Sequence, residues 1–388
     1  MREAVIVSYA RSAVGKAKKG SLKDTQPVRF ASDVLRNLVQ RTEGLEPSMV
    51  DDIMVGCAMP EGSQGMNFAR LIALRAGFPV EVPATTNNRF CSSGSQTIAW
   101  AGDVIRSGNA DIIIAGGAET MSMVPMSGFK PVAEPTLLES MPAAYDAMGA
   151  TAEKVARDYD ISREDQDAFA LRSHQRAAAA QEADRFRSQI VPLEVEVLEE
   201  GGWQTRTFQD DEGPRPDTSL EALARLRPAF DPRGTVTAGN ASQMSDGCAF
   251  AVVMSKEKAE ELGLTPKATI RGWAVAGVAP EVMGIGPAKA VPKLLDRVGI
   301  PIESIDLVEL NEAFASQALY CIRELGLEDD QVNVNGGAIA TGHPLGATGA
   351  ILTCKLLAEL EHRDAKRGIV TMCIGGGMGF AYLLERAG

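Results

Sequence analysis

Two cysteines and one histidine stand in sequence contexts that favour chemistry over packing. Cys91 lies in N-N-R-F-C-S-S-G, a polar stretch at or just before a predicted helix N-terminus. His343 lies in a glycine-dense turn, T-G-H-P-L-G-A-T-G, that leads into another predicted helix. A thiolate is a nucleophile, a helix N-terminus stabilises its charge, and a histidine can take the thiol proton. If the two converge, they predict a cysteine nucleophile with a histidine as its base, with His343 lowering the pKa of the Cys91 thiol.

Two further residues follow predicted strands. Cys373 stands in T-M-C-I-G-G-G-M-G, whose glycine N–H groups can bind a developing oxyanion. The same run could serve a dinucleotide, but it lacks G-x-G-x-x-G spacing and too little chain follows for a βαβ unit. Asn311 comes straight after a strand, where its amide either reaches into a site or caps a helix. Cys91 and His343, taken alone, are also compatible with a buried core.

The elements that must position these residues follow the periods of strands and helices. A polar turn with Cys91, then a helix, then a strand ending in glycines is matched by a turn with His343, a helix and another such strand. We therefore predict an α/β fold of duplicated βαβ-type halves, with a parallel-rich sheet in each and helices on both faces. The predicted strands are 4–7, 53–57, 111–115, 249–254, 268–278, 307–310 and 368–373, and the predicted helices include 28–39, 256–262 and 312–324.

Two stretches depart from this alternation. Residues 121–245 are rich in Met, Pro and charge, and Ser162-x-x-Asp165 resembles a capping box that opens a long helix. We predict a mainly helical insertion there. Gln331 to Cys354 carries no formally charged side chain, which would suit a membrane span, but its glycines, asparagines and proline argue against one.

Composition excludes several classes of protein. The net charge of −12 over 388 residues disfavours nucleic acid and anionic membranes as main partners. The six cysteines form no C-x-x-C pair, which argues against a zinc site and a disulfide scaffold and suits a reducing compartment. The N-terminus lacks the apolar core of a secretory signal, and no apolar stretch of membrane length is free of polar interruption. We therefore expect a cytoplasmic protein without a membrane span or metal.

Taken together and in order, the motifs resemble the thiolase superfamily across the whole chain. They are N-R-F-C-S-S-G, T-A-G-N-A-S at 237–242, V-M-G-I-G-P at 282–287, N-E-A-F-A at 311–315, G-H-P-L-G-A-T-G at 342–349 and C-I-G-G-G at 373–377. The resemblance implies a layered α-β-α-β-α fold. It also implies an N-terminal half over 1–120 plus 246–266, an inserted loop domain for coenzyme A over 121–245, and a C-terminal half over 267–388.

The resemblance also implies roles for nine residues. Cys91 is expected to be the acylated nucleophile, His343 its base and a donor to the thioester oxygen, and Cys373 the acid/base at the substrate α-carbon. Asn311 is expected to hold a water in one oxyanion hole, and the N–H groups of Cys91 and Gly375 to form another. Residues expected around the pantetheine arm are Ser242, Met148, Met283 and Phe314.

The implied reaction is cleavage of 3-ketoacyl-CoA by coenzyme A, a co-substrate, or the reverse Claisen condensation, with no permanently bound cofactor. The implied assembly is a homodimer or homotetramer, with a possible hydratase/dehydrogenase partner. Phe90, Ser95 and Thr341 depart from the commoner pattern, which bears on substrate length. The absence of a histidine before Met148 and the S-R-E-D-Q-D-A-F-A-L helix favour a degradative 3-ketoacyl-CoA thiolase over an acetoacetyl-type enzyme. A decarboxylating ketoacyl synthase and a non-catalytic lipid carrier remain as alternatives.

Overall fold

The computed structural model describes residues 2–387. Its strands within that range are β1 (Ala4–Arg11), β2 (Gly15–Lys16), β3 (Asp52–Gly56), β4 (Ala84–Asn87), β5 (Ile112–Thr120), β6 (Leu193–Glu199), β7 (Gly202–Phe208), β8 (Ser245–Ser255), β9 (Ala268–Gly277), β10 (Leu307–Leu310), β11 (Arg367–Ile374) and β12 (Met378–Arg386). Its α-helices are α1 (Pro27–Gln40), α2 (Phe68–Ala76), α3 (Ser93–Arg106), α4 (Pro135–Ser140), α5 (Met148–Asp158), α6 (Arg163–Glu182), α7 (Leu220–Ala224), α8 (Lys256–Glu261), α9 (Gly286–Val298), α10 (Ala315–Leu325), α11 (Ala338–Thr341) and α12 (Leu345–His362).

The strand order shows the predicted duplication directly. The main sheet runs β10-β11-β12-β9-β1-β8-β5-β3-β4, with β2 also paired to β8. Read inward from β10 at one end and from β3, which lies next to the outermost β4, at the other, β10-β11-β12-β9 and β3-β5-β8-β1 share one pattern of parallel, antiparallel and antiparallel pairing. The two halves meet where β1 and β9 pair antiparallel. In each half a central helix, α3 or α12, precedes the second strand of the pattern, so Cys91 and His343 occupy equivalent positions.

The expectation of a parallel-rich sheet holds only toward the outer ends. There β10 pairs parallel with β11, and β3 pairs parallel with both β4 and β5. The inner strands are antiparallel because β12 returns from β11 through the tight turn at Gly375–Gly377. In the first half, the corresponding connection runs from β5 to β8 and contains the whole insertion over 121–245. The insertion therefore leaves the fold at the strand end that corresponds to the Gly375–Gly377 turn.

Alternating side chains divide the core into the layers predicted for the fold. In β5, Ile112 and Ile114 pack with α1 and α2, whereas Ile113 and Ala115 point to the opposite face, toward α3 and α12. In β12, Tyr382 also faces the α3 and α12 layer, while its neighbours pack with α9 and α10. Period-two alternation on both sheet halves thus gives five layers, with α3 and α12 between the two halves.

The helix α12 explains the charge-free stretch noted in the sequence. It packs against both sheet halves and α3, and nearly every side chain along it is buried. A helix that is apolar on all sides belongs in the middle of such a layered core. Its one buried cation, Lys355, is paired with Glu309 of β10 at 2.9 Å and donates to the Gly336 carbonyl at 2.6 Å. Among residues 2–387, no helix is long and apolar enough to cross a membrane.

Helices make up most of the regular structure of the insertion, as predicted, and its α6 begins where Ser162 Oγ accepts from Asp165 N at 3.0 Å. It also contains the β6–β7 hairpin, which the sequence analysis missed. The alternation L-E-V-E-V-L-E over 193–199 is the signal that predicts this strand. Its apolar face packs against α1, and the buried Arg11–Asp211 ion pair at 2.8 Å ties the insertion to β1.

Two glycines let α12 approach the first half of the chain closely. The strand β5 does not end at the predicted Gly116-Gly117 pair but continues to Thr120. A Cβ on Gly117 would overlap the Gly346 carbonyl oxygen at the start of α12, and a Cβ on Gly346 would stand 2.7 Å from Ala58 N. The glycines of β5 therefore serve a close backbone approach rather than a turn.

A buried carboxylate joins the same segments. Glu119, 1% exposed near the end of β5, accepts hydrogen bonds from Ala58 N at 2.7 Å and Gly346 N at 2.8 Å. Gln64 Nε2 donates to its other oxygen at 2.7 Å. Burial raises the pKa of Glu119, and these donors oppose that effect. Glu119 thus holds the turn that carries His343 against the first half of the chain.

We expect Glu119→Gln to destabilise the fold and to slow alkylation of Cys91. The amide keeps the size of the side chain but has a single acceptor oxygen, so buried donors lose their partner at about 1–3 kcal/mol each. Denaturant midpoints measure the first effect. Iodoacetamide kinetics, read on the Cys91 peptide, measure the second, and a displaced His343 turn predicts slowing of about tenfold or more.

Asp51→Asn provides the matched control at the opposite end of the same strand. Asp51 Oδ2 accepts from Asp111 N at 2.7 Å and Ile112 N at 2.9 Å. This change should leave the alkylation rate of Cys91 unaltered. Normal alkylation in Glu119→Gln would contradict the role given to Glu119.

Candidate active site

The predicted reactive residues meet at the carboxyl ends of parallel strands. Cys91 follows β4, Asn311 follows β10, and Cys373 and Gly375 lie at the end of β11. His343 precedes α12, whose first turn packs on the first turn of α3. Within each half, parallel strands place their carboxyl ends at one edge of the sheet, which is where α/β proteins bind their ligands, and the contact between α3 and α12 brings the two halves together there.

The Cys91 loop is held by short side chains rather than by a helix cap. Phe90 has a φ of +43°, a left-handed conformation that is uncommon for a residue with a side chain. Asn88 Oδ1 accepts from Phe90 N at 2.8 Å, and Ser93 Oγ accepts from Arg89 N at 2.9 Å. Ser93 Oγ also donates to the Phe90 carbonyl at 2.7 Å. The polar frame noticed in the sequence therefore fixes the backbone on both sides of the cysteine.

The thiol of Cys91 is protonated at neutral pH. The side chain is 9% exposed, and burial raises its pKa to about 11. The backbone N–H groups of Gly375 and of Cys91 itself face the sulfur and oppose this rise. Desolvation outweighs these stabilising N–H groups in the resting protein, and the lowering of the Cys91 pKa by His343 stays a prediction.

His343 is a neutral imidazole whose tautomer follows from its neighbours. Its Nδ1 lies 2.6 Å from Thr348 Oγ1, and that hydroxyl donates to the Pro344 carbonyl at 2.9 Å. Nδ1 must therefore carry the proton, which leaves Nε2 as the basic nitrogen. Asn311 Nδ2 lies 3.3 Å from Nε2. Burial lowers the pKa of His343 to about 4, so the ring is uncharged and able to accept a proton at neutral pH.

Asn311 reaches into the site and does not cap a helix. Phe314 is extended, and α10 begins only at Ala315, later than the predicted Glu312. The Asn311 N–H donates to the Thr371 carbonyl at 2.9 Å, which turns the side chain toward His343. Its Oδ1 is buried and receives no hydrogen bond from residues 2–387.

Cys373 places a second buried thiol beside the first. Its side chain is fully buried, and burial raises its pKa well above the ordinary value, with a further rise from the neighbouring Cys91. Apolar side chains surround it, including Met283 and Phe314. Cys373 is therefore a thiol that keeps its proton until a strongly basic atom approaches.

The residues expected around a pantetheine arm adjoin the same centre. Met283 and Phe314 pack with Cys373, and the Met148 thioether lies 3.4 Å from where a Cβ on Gly375 would stand. Ser242 N donates to the Ala313 carbonyl at 2.9 Å. All nine predicted site residues thus belong to one neighbourhood. Within residues 2–387, no group of three or more His, Cys, Asp and Glu side chains is placed to hold a metal ion.

Sequence reasoning missed the residues that hold the reactive groups in place. Thr348 sets the tautomer of His343, Glu119 anchors its turn, and the Gln243 carbonyl accepts from His343 N at 3.0 Å. Thr348 could have been found, because a hydroxyl within the first turn after a histidine can reach its ring. Nothing local to Glu119 or Gln243 indicates their contacts.

Both halves of the chain match known protein families. Residues 4–257 match the thiolase N-terminal domain and residues 264–386 match the thiolase C-terminal domain. A 3-ketoacyl-CoA thiolase of Bacillus subtilis (strain 168) is 53% identical over 390 residues, which cover 99% of this chain and 100% of that protein. An acetyl-CoA acetyltransferase of Chromobacterium violaceum is 46% identical over 396 residues, covering 99% and 100%.

A solved structure agrees with these matches. The crystal structure of the Bacillus anthracis acetyl-CoA acetyltransferase has a TM-score of 0.91 and 43% identity, and the match covers 100% of this chain and 99% of that one. The fold and these matches define an acyltransferase built from two similar halves. The chain belongs to the thiolase family, which confirms the resemblance carried by the motifs.

We expect the thiol of Cys91 to stay protonated throughout the neutral range. Because burial raises its pKa to about 11, the thiolate forms only as the pH approaches that value. The ultraviolet absorbance of thiolate, taken as wild type minus Cys91→Ser, should be flat from about pH 6 to about pH 9.5, although a free thiol titrates near about 8.5. A midpoint below about 7 would show instead that Cys91 and His343 form an ion pair.

Proposed function

We propose that the protein cleaves 3-ketoacyl-CoA with free coenzyme A, yielding acetyl-CoA and a shortened acyl-CoA through an acyl-cysteine. The observation that carries this proposal is the buried thiol of Cys373 beside Cys91. Cleavage of a carbon–carbon bond needs a nucleophile for the ketone and an acid for the departing carbon. Two protonated thiols and one neutral imidazole supply both, and the reverse sequence is a Claisen condensation.

In the first half-reaction, His343 Nε2 takes the thiol proton as the Cys91 sulfur attacks the ketone carbon of the substrate. The new carbon–sulfur bond forms, the bond between the ketone carbon and the α-carbon breaks, and its electron pair passes to the acetyl-CoA fragment as an enolate. Cys373 delivers its proton to that carbon, which releases acetyl-CoA. A positioned acid or base of this kind contributes about 10²–10⁴-fold to the rate.

In the second half-reaction, the Cys373 thiolate takes the proton of coenzyme A. The coenzyme sulfur attacks the acyl carbon on Cys91, the bond to Cys91 breaks, and the Cys91 sulfur recovers its proton from the His343 imidazolium. Both thiols and the imidazole return to their starting states, so no oxidant or permanently bound cofactor is required. Coenzyme A acts as a co-substrate.

Two groups of donors suit the negative charge that develops on oxygen. The N–H groups of Cys91 and Gly375 face the Cys91 sulfur, where the oxygen of the acyl group would lie. The thioester oxygen of the acetyl-CoA fragment would accept a hydrogen bond from His343 Nε2, once that nitrogen is protonated. It would accept another from a water held by Asn311 Oδ1. Removing one such donor typically costs about 10²–10³-fold in turnover.

The apolar side chains near Cys373 suit the pantetheine arm. We assign Met148, Met283 and Phe314 as its walls and Ser242 as a polar contact, with the insertion over 121–245 holding the rest of the coenzyme. This assignment keeps the proposed division into halves at 1–120 plus 246–266 and at 267–388. All six cysteines are free, which suits the proposed cytoplasmic location.

We favour a degradative 3-ketoacyl-CoA thiolase of β-oxidation over an acetoacetyl-CoA enzyme. The support is the 53% identity to a protein named 3-ketoacyl-CoA thiolase and the alanine, not histidine, before Met148. The relative at 46% identity carries the name of the second class. Thiolysis rates across 3-ketoacyl-CoA chain lengths decide between them. We further propose a homodimer or homotetramer, with a hydratase/dehydrogenase subunit as a possible partner.

Two other functions make different predictions. A decarboxylating ketoacyl synthase would release carbon dioxide and form product without free coenzyme A, and it would need a basic residue where Cys373 stands. A lipid carrier would bind acyl-CoA without transferring its acyl group to Cys91. Strict dependence of product formation on free coenzyme A would reject both.

We expect Cys373→Ala to separate acyl transfer onto Cys91 from proton transfer at the substrate carbon. The variant should still take the acetyl group of acetyl-CoA onto Cys91, because that exchange needs only the nucleophile, His343 and oxyanion donors. It should lose thiolysis by about 10²–10⁴-fold, together with exchange of acetyl-CoA methyl protons with solvent, since both need an acid or base at carbon. Mass spectrometry, a thiolysis assay and proton NMR measure the three activities.

Cys248→Ala is the matched control, because Cys248 is a fully buried cysteine of β8 that packs with α1. It should retain all three activities in proportion to the folded fraction. Either carbon-acid activity persisting at a normal rate in Cys373→Ala would show that another group transfers the proton.

A further inference from the structure

A buried carboxylate stands next to Asn311 in the chain. Glu312 is 1% exposed, and both of its oxygens accept hydrogen bonds. Oε1 accepts from Asn333 Nδ2 at 2.9 Å, and Oε2 accepts from Ser173 Oγ at 2.6 Å and from Ile339 N at 3.2 Å. Burial raises the pKa of Glu312, and the Ser173 and Asn333 donors oppose that rise. Three segments that are far apart in the sequence therefore meet at this carboxylate.

The hydrogen bond from Ile339 links the segments that carry Asn311 and His343. Asn311 follows the end of β10, and His343 lies between α11 and α12, so neither residue belongs to a regular element. Asn311 Nδ2 nevertheless lies 3.3 Å from His343 Nε2. Because Ile339 belongs to α11, its bond to Glu312 joins the two backbone segments that determine this distance.

The side chain of Asn333 holds the strand end that precedes Asn311. Asn333 has a φ of +45°, and its Oδ1 accepts from Leu310 N at 2.9 Å. Its Nδ2 donates to the Leu310 carbonyl at 2.7 Å, so one side chain pairs with both backbone groups of the last residue of β10. The same Nδ2 donates to Glu312. The residues on both sides of Asn311 are therefore fixed by one amide.

Two glycines let the His343 turn approach this carboxylate closely. A Cβ on Gly337 would stand 2.2 Å from the Glu312 carboxyl carbon, and a Cβ on Gly336 would stand 2.5 Å from the Ser173 carbonyl oxygen. Ser173 belongs to α6 of the insertion, and its Oγ accepts from Gly337 N at 3.0 Å while it donates to Glu312. The insertion thus supports the turn through the same carboxylate.

We propose that Glu312 is a positioning residue, which fixes the separation of Asn311 and His343 so that both serve one thioester oxygen. This inference rests on the proposed thiolytic function, in which those two residues stabilise the enolate of the acetyl-CoA fragment. Two donors stabilise one oxygen only when both lie within hydrogen-bond distance of it. Glu119 holds the His343 turn against the half that carries Cys91, whereas Glu312 holds it against Asn311. The two carboxylates therefore support different steps of the reaction.

The test measures two activities on the same sample of wild type, Glu312→Gln and Asn311→Ala. They are acetylation of Cys91 by acetyl-CoA and exchange of acetyl-CoA methyl protons with solvent. The amide has a single acceptor oxygen, so it cannot satisfy all the donors that meet at the carboxylate. Proton exchange needs both donors to the thioester oxygen, and in Glu312→Gln it should fall about tenfold or more relative to acetylation. A loss of folded protein lowers both activities equally and leaves their ratio unchanged.

The double variant Asn311→Ala/Glu312→Gln shows whether Glu312 acts through Asn311. If it does, adding Glu312→Gln to Asn311→Ala should lower the ratio of exchange to acetylation by less than about twofold further, because coupled residues are not additive. Ser173→Ala removes one of the donors to Glu312. It should lower the ratio in the same direction by a smaller factor than Glu312→Gln.

Asp306→Asn is the matched control, because Asp306 lies before the opposite end of β10 and its Oδ2 accepts from Lys366 N at 2.9 Å and Arg367 N at 2.8 Å. This variant should keep the ratio of wild type. An unchanged ratio in Glu312→Gln, or in Ser173→Ala if Glu312→Gln does not fold, would overturn the inference, as would full additivity in the double variant. Absence of both activities in the wild type would instead overturn the proposed function.

Discussion

The hydrogen bonds of Glu119 join the two halves of the chain at the point where the chemistry is proposed to occur. One carboxylate oxygen accepts from Ala58 N in the first half and from Gly346 N in the second. Gly117 leaves space for that contact, and its strand carries Glu119. Because the nucleophile candidate precedes α3 and the base candidate precedes α12, neither half holds both. The position of His343 relative to Cys91 therefore depends on a buried charge that is satisfied by backbone donors.

Burial acts in opposite directions on the acids and the base of this centre. It raises the pKa of both thiols and lowers the pKa of His343. All three groups are consequently neutral before substrate binds. Charge then appears only as bonds change, next to N–H groups that are already in place, so solvent has little to reorganise. The adjoining apolar side chains keep that environment dry.

Local patterns in the sequence predicted the helices and strands well. They did not reveal contacts between residues far apart in the sequence. The strand predicted at 307–310 has those bounds in the structure, and the repeated turn–helix–strand order corresponds to a shared strand order in both halves. Glu119 and its hydrogen-bond partner Gly346 are 227 positions apart, so no periodicity reveals their contact. The desolvation that raises the pKa of Cys91 escaped the local patterns for the same reason, because it comes from distant residues. The directions of the inner strands depend on the lengths of the connections between them. Composition alone does not determine those lengths.

The most direct test of this account is peptide mapping by mass spectrometry after brief incubation of the wild-type protein with acetyl-CoA and acid quenching. The account predicts the acetyl group on the Cys91 peptide alone, with the peptides of Cys373 and the four remaining cysteines unmodified, and its removal when free coenzyme A is added before quenching. Acetyl on Cys373, or on neither cysteine, would contradict the assignment of nucleophile and acid on which the mechanism depends.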